Sequence, residues 1–126
     1  MKIGKIVFSA FLVFSAMVSH ALEIKPYSAT ALALAQKADK PVALHFHADW
    51  CPTCRAQEKV LQELKSEAAL DMTVLVVNYD TENELKRRFN VRAQSTLVVL
   101  HGEKETYRVV GDTSPGGIRG ALKSAL

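Results

Sequence analysis

Two cysteines stand with two residues between them in Asp49-Trp50-Cys51-Pro52-Thr53-Cys54-Arg55, and the chain has no others. Thiols at this spacing can do two kinds of chemistry. They can exchange electrons through a disulfide, or they can supply half of a tetrahedral zinc site. The zinc set lacks its usual second half, because the sequence holds no second C-x-x-C and no paired histidines at ligand spacing. The redox reading has support from position. A strand over 41–47 followed by a helix over 51–69 puts Cys51 at a helix start, where unpaired N–H groups and the positive end of the dipole favour an anion. A thiolate is the attacking species in disulfide exchange, so that placement activates it. Pro52 suits the first helical position, where a missing N–H costs nothing. Cys54 follows one turn on, placed to attack a mixed disulfide and release its partner. A static disulfide here would close too short a loop to add much stability.

The surrounding pattern alternates helix and strand. A helix is predicted over 27–37 with Ser28 as its N-cap, and a short apolar strand over 41–47. The helix over 51–69 carries Ala56, Val60, Leu61, Leu64 and Ala68 on one face. Residues 73–79 are rich in β-branched side chains and read as a strand covered on both faces. A short polar helix follows over 82–89. Strands over 96–101 and 106–110 join through a tight turn at Gly102-Glu103-Lys104. After the breakers Pro115, Gly116 and Gly117, an amphipathic helix over 118–126 closes the chain. Early strands separated by helices need right-handed parallel crossovers, and the late hairpin adds antiparallel strands. The expected class is α/β, a mixed central sheet flanked by helices on both faces.

The chain has 126 residues, 48% of them apolar, with a net charge of +3. This excludes a disordered chain and a multidomain enzyme. No basic stripe with interleaved aromatics points to nucleic acid. A basic start with Lys2 and Lys5 precedes a charge-free apolar run over 6–18, then Ser19-His20-Ala21. Thirteen residues span only about 20 Å as a helix, short of the roughly 30 Å hydrocarbon core. The layout is that of a signal peptide over 1–21, cut after Ala21, leaving one domain over 22–126. Export would place the thiols in an oxidising compartment, the periplasm of a Gram-negative cell, where a close pair is more often redox-active than idle.

The segment Phe46-His47-Ala48-Asp49-Trp50-Cys51-Pro52-Thr53-Cys54, between a strand and a helix, resembles the active-site segment of the thioredoxin family. The likeness runs on through residues 74–80, the loop 91–96 and Val110-Gly111. The Ala48-Asp49-Trp50-Cys51 opening is most similar to exported thioredoxin-like domains that pass electrons across the bacterial inner membrane. The resemblance implies a thioredoxin-like fold, Cys51 as nucleophile, Cys54 as resolving cysteine and Trp50 as flanking aromatic. It also implies a substrate surface of Trp50, Pro52, Thr53, Gln94, Ser95 and Thr96. Three departures stand out. Ser95 occupies the place of the family's cis-proline, which puts a hydroxyl beside the sulfurs. His45 replaces the buried carboxylate under the second cysteine; neutral, it could take the resolving thiol's proton, and protonated, it would stabilise a thiolate. His47 replaces an aromatic on the same strand face.

The resulting expectation is an exported thiol–disulfide oxidoreductase. Its redox-active Cys51–Cys54 disulfide serves in place of any organic cofactor. It would act as a monomer, with cysteine-containing exported proteins and a membrane-bound electron donor or acceptor as partners. The rival is a periplasmic copper or zinc binding protein, or a thiol chaperone, using both cysteines with His45 or His47. A third reading is a degenerate docking protein, which the intact cysteine pair argues against. Lys86-Arg87-Arg88 reads as a solvated helix face, with a docking patch for an acidic partner as its alternative.

Overall fold

The computed structural model describes Gly4 and residues 10–14 and 21–126. The signal peptide expected over 1–21 lies mostly outside the described residues. Among the described residues, no helix is long and apolar enough to cross a membrane.

The elements run β1 (Glu23–Pro26), α1 (Ala29–Lys37), β2 (Pro41–His47), α2 (Pro52–Leu64), β3 (Thr73–Asn78), α3 (Asn83–Arg88), β4 (Thr96–His101), β5 (Lys104–Val110) and α4 (Pro115–Lys123). The strands form one sheet in the order β1-β3-β2-β4-β5. β1 and β2 pair with β3 in parallel, while β4 is antiparallel to both β2 and β5. The sheet is mixed, as expected. The short β1 was not expected: its Glu23, Lys25 and Pro26 break any alternating apolar pattern. Such residues suit an edge strand, where charge and proline discourage further pairing.

Alternation along the central strands sorts the core into two layers. Ala43, Val74, Leu97 and Val99 pack against Val60, Leu61 and Leu64 of α2 and Ile118 and Leu122 of α4. Val42, Leu44, Phe46, Leu75 and Val77 face the other way, against Leu32 of α1 and Leu85 of α3. Helices thus cover both faces. Ser28 Oγ caps α1 by accepting from Ala31 N at 3.0 Å.

Several boundaries differ from the sequence reading: α1 begins at Ala29 rather than 27, α3 is one residue shorter at each end, β5 begins at Lys104 rather than 106, α4 ends at Lys123 rather than 126, and two further differences have a visible cause. α2 stops at Leu64 instead of reaching Ala69. Past that point the Ser66 hydroxyl bonds Glu63 O and Glu67 N turns tightly onto Leu64 O, so the helical ladder ends. Its buried face is Cys54, Gln57, Val60, Leu61 and Leu64, while Ala56 and Ala68 are exposed. α4 begins three residues early, because Pro115, Gly116 and Gly117 form its first turn under the Ser114 cap. A Cβ at Gly117 would collide with the Asp112 carboxylate and the Ser114 hydroxyl. A side chain there would have to displace those two polar groups, so Gly117 makes room for the cap within the first turn instead of breaking the helix.

Candidate active site

β2 delivers the chain to His47, and Ala48–Trp50 turn it into α2. Cys51 N donates to Ala48 O at 3.1 Å, and Cys51 becomes the N-cap residue. Its Sγ accepts from Cys54 N at 3.2 Å, the role a serine or aspartate oxygen usually fills. Both cysteines are free thiols. Cys54 is fully buried and Cys51 is 3% exposed. Ser95, from the loop before β4, puts its Oγ at 3.3 Å from Cys51 Sγ and 3.0 Å from Cys54 Sγ.

The two thiols are driven apart electrostatically. Burial works to raise the Cys51 thiol. Hydrogen bonds from the Cys54 side chain, the Ser95 hydroxyl and the Cys54 and Thr53 amides outweigh it, leaving Cys51 below its ordinary value. Burial, and then its own bond to Cys51, push Cys54 up. Cys51 is therefore the more ready thiolate and Cys54 the retained thiol.

The Gln94–Ser95 peptide is trans, and Ser95 sits at φ +62°. A non-glycine residue in this region costs about 1–3 kcal/mol and persists only when its surroundings fix it. Here Ser95 N donates to Phe46 O, while Ser95 O accepts from Gly111 N and Gln57 Nε2, each at 3.0 Å. Gln57 Nε2 also donates to Asp112 O at 2.9 Å. Two carbonyls can only accept, so the amide orientation of Gln57 is fixed with Oε1 on the other side. That oxygen lies 2.9 Å from His45 Nε2, which must therefore carry the proton. His45 is 1% exposed, and its Nδ1 has no partner among the described residues. Burial lowers its pKa to about 4, against the Gln57 bond and with help from His47. At neutral pH His45 is uncharged, which removes the expected alternative of a protonated ring stabilising a thiolate.

His47 is nearly buried, with its ring 5.5 Å from that of His45. Its nitrogens face carboxylates, Glu58 at 3.2 Å and Asp49 at 3.6 Å. The two histidines and two cysteines do not converge as the metal reading requires. Among the described residues, no group of three His, Cys, Asp or Glu side chains could hold a metal ion.

Of the expected substrate surface, Trp50 is 60% exposed and donates Nε1 to Asp80 Oδ2 at 2.8 Å. Pro52 is exposed, and Thr53 and Gln94 are half-buried. Gln94 makes no backbone hydrogen bond among the described residues. Ser95 and Thr96 lie deeper than the rest. Both are buried, and Thr96 Oγ1 is spent on Ala93 O at 2.8 Å. The Ser95 hydroxyl faces the two sulfurs. On α3, Arg87 bonds Glu84, Arg88 bonds Gln36 and Lys86 lies over the Tyr79 ring.

The thioredoxin family model matches residues 28–124. The chain belongs to the thioredoxin family. Thioredoxins of Mycobacterium bovis and Mycobacterium tuberculosis are each 37% identical to it over 73 residues, or 58% of this chain. The match spans only 63% of either relative's length. The solved structure of Trxlp from Edwardsiella tarda superposes with a TM-score of 0.75 and 38% identity, covering 79% of this chain and 98% of that one. A Halobacterium salinarum thioredoxin mutant, at 23% identity and a TM-score of 0.69, shares the fold. Within this thioredoxin-family site, the residue that sequence reasoning missed is Gln57. Its signal was a polar side chain in phase with Cys54, Leu61 and Leu64 on the buried stripe of α2.

Gln57→Leu keeps the volume but strands the His45 N–H and releases two carbonyls. A buried donor without a partner costs about 1–3 kcal/mol. Urea unfolding should show a loss in that range. A change below about 0.5 kcal/mol, the scatter of ordinary surface substitutions, would mean that the clamp does not hold the loop.

Proposed function

We propose that this chain is an exported thiol–disulfide oxidoreductase that exchanges electrons with cysteine-containing exported proteins. The observation that carries the reading is the unequal thiol pair: Cys51 capping α2 below its ordinary pKa, and Cys54 buried one turn later above its own. Cys51 Sγ attacks a substrate disulfide, forming a mixed disulfide and releasing one substrate thiolate. Cys54 then attacks Cys51 Sγ, closing the Cys51–Cys54 disulfide and releasing the second. The dithiol loses two electrons and two protons, and the substrate gains them. The exposed Trp50 and the unbonded backbone of Gln94 form the surface on which a substrate chain docks.

Export rests on the basic, apolar and small-residue layout of residues 1–21, with the periplasm as destination. The working unit is the monomer. A membrane-bound donor or acceptor resets the pair between turnovers.

Equilibration with glutathione or dithiothreitol buffers tests the reading. A single two-electron transition is expected, with a potential between about −270 mV, the reducing end of the range, and about −120 mV, the oxidising end. A thiol pair that fails to equilibrate with either buffer would overturn the oxidoreductase reading.

A further inference from the structure

One hydroxyl lies against both reacting sulfurs: Ser95 Oγ is 3.3 Å from Cys51 Sγ and 3.0 Å from Cys54 Sγ. No charged side chain among the described residues bonds either sulfur, so negative charge there rests on neutral donors alone. We propose that the Ser95 hydroxyl is a donor shared by the two sulfurs, turning its proton toward whichever of them is charged, and that it thereby raises the reduction potential of the pair. The inference rests on the oxidoreductase reading and deepens it, because it assigns the direction in which the pair is poised.

A hydroxyl has one proton to give, so it serves one sulfur at a time. In the reduced protein the first charge falls on Cys51. Cys54 S–H then donates to Cys51 Sγ, the Cys54 amide does the same at 3.2 Å, and Ser95 O–H adds a third bond. In the mixed disulfide Cys51 is neutral, and Cys54 is the sulfur that must ionise to attack. The same hydroxyl can turn to it without moving its oxygen. Among the described residues, Ser95 is the only side chain that favours the ionised form of both thiols.

Closing the disulfide removes that charge. A neutral disulfide sulfur is a weak acceptor, whereas a bond to a thiolate is charge-assisted and about twice as strong as a neutral one. The hydroxyl therefore stabilises the reduced state more than the oxidised one. A pair whose reduced form is stabilised is a stronger oxidant, so the shift is toward higher potential. The oxygen is held where both sulfurs can use it, because Ser95 is 3% exposed and its backbone is bonded to Phe46, Gly111 and Gln57. The other titratable groups packed around the site have partners of their own. His45 on β2 donates to Gln57, Tyr79 after β3 donates to Arg92 O, and the Asp112 carboxylate beyond β5 accepts from Ser114 N.

Ser95→Ala and Ser95→Gly test the shared donor together. Both remove the hydroxyl, but alanine keeps the backbone strain and glycine relieves it. Each protein is equilibrated at pH 7 with glutathione buffers, in which its dithiol and one oxidised glutathione give the Cys51–Cys54 disulfide and two reduced glutathiones. The disulfide fraction is read by alkylation and mass. In both variants the equilibrium should move about tenfold toward the disulfide, a potential roughly 30 mV more reducing than the parent's. The thiolate absorbance of Cys51 should also appear at higher pH in both. A potential equal to the parent's, or less reducing, would overturn the proposal, as would a Cys51 ionisation that stays at the parent's pH. So would a shift confined to one variant, which marks the backbone at 95 as the cause. Parent protein that never forms the disulfide would instead sink the oxidoreductase reading beneath it.

Discussion

Replacing Cys51 with serine is expected to abolish disulfide exchange, lowering the rate of insulin disulfide reduction by at least about 10³-fold. A serine hydroxyl at the α2 N-cap can accept the same Cys54 amide, so the fold should survive and circular dichroism should be unchanged. What disappears is the one sulfur that is both poised to ionise and placed at the end of the site. Cys54→Ser separates the two half-reactions. Attack by Cys51 should continue, because its backbone and helix-terminus donors remain, but no second sulfur resolves the adduct. The variant should accumulate a long-lived mixed disulfide with glutathione, visible by mass, while turnover falls nearly as far as in Cys51→Ser. A Cys51→Ser protein that kept a tenth of the parent's activity would place the chemistry elsewhere.

Acid should weaken this protein through His45 before its carboxylates matter. In the unfolded chain the imidazole titrates near pH 6.5, and in the folded chain near 4. Between those values the unfolded state binds more protons, so stability falls as pH drops. The full contribution is present above about pH 6.5, and roughly 3 kcal/mol is lost by pH 4, below which this group adds nothing more. Depressed carboxylates such as Glu67, paired with Arg119, and Asp112, bonded to Ser114, give up their share lower still, as pH falls through their folded values. Urea unfolding at pH 7, 5.5 and 4 measures the loss, and His45→Leu isolates it. The variant starts less stable, with Gln57 Oε1 unpaired, but its stability should change little between pH 7 and 5. If its slope there matches the parent's, His45 is not the acid-sensitive group.

Much of this was legible in the residues. β2 and β4 announced themselves as apolar runs bounded by turn residues, and both were placed to the residue. The Cys-Pro-x-Cys spacing after a strand placed the nucleophile at a helix start. What was not legible depended on contacts distant in sequence. β1 is stabilised by pairing with β3, about fifty residues away, and its own residues carry no strand pattern. The end of α2 was hidden because alanines fit either a buried or an exposed face. Gln57 looked like an interruption of an apolar stripe, yet it ties His45 to the Ser95 and Asp112 carbonyls. The burial of Ser95 and Thr96 likewise follows from pairing of the β4 start with Phe46 and Val110.

The backbone at Ser95 also bears on which residues this chain can accept there. Proline fixes φ near −65° and has no N–H, whereas Ser95 sits at +62° and spends its N–H on Phe46 O. Placing a proline at 95 by one substitution would break that bond and demand the opposite backbone hand. The loop and its Gln57 clamp would have to be rebuilt together. Serine at 95 thus belongs to the loop's whole arrangement, and a single Ser95→Pro substitution is expected to misassemble that loop.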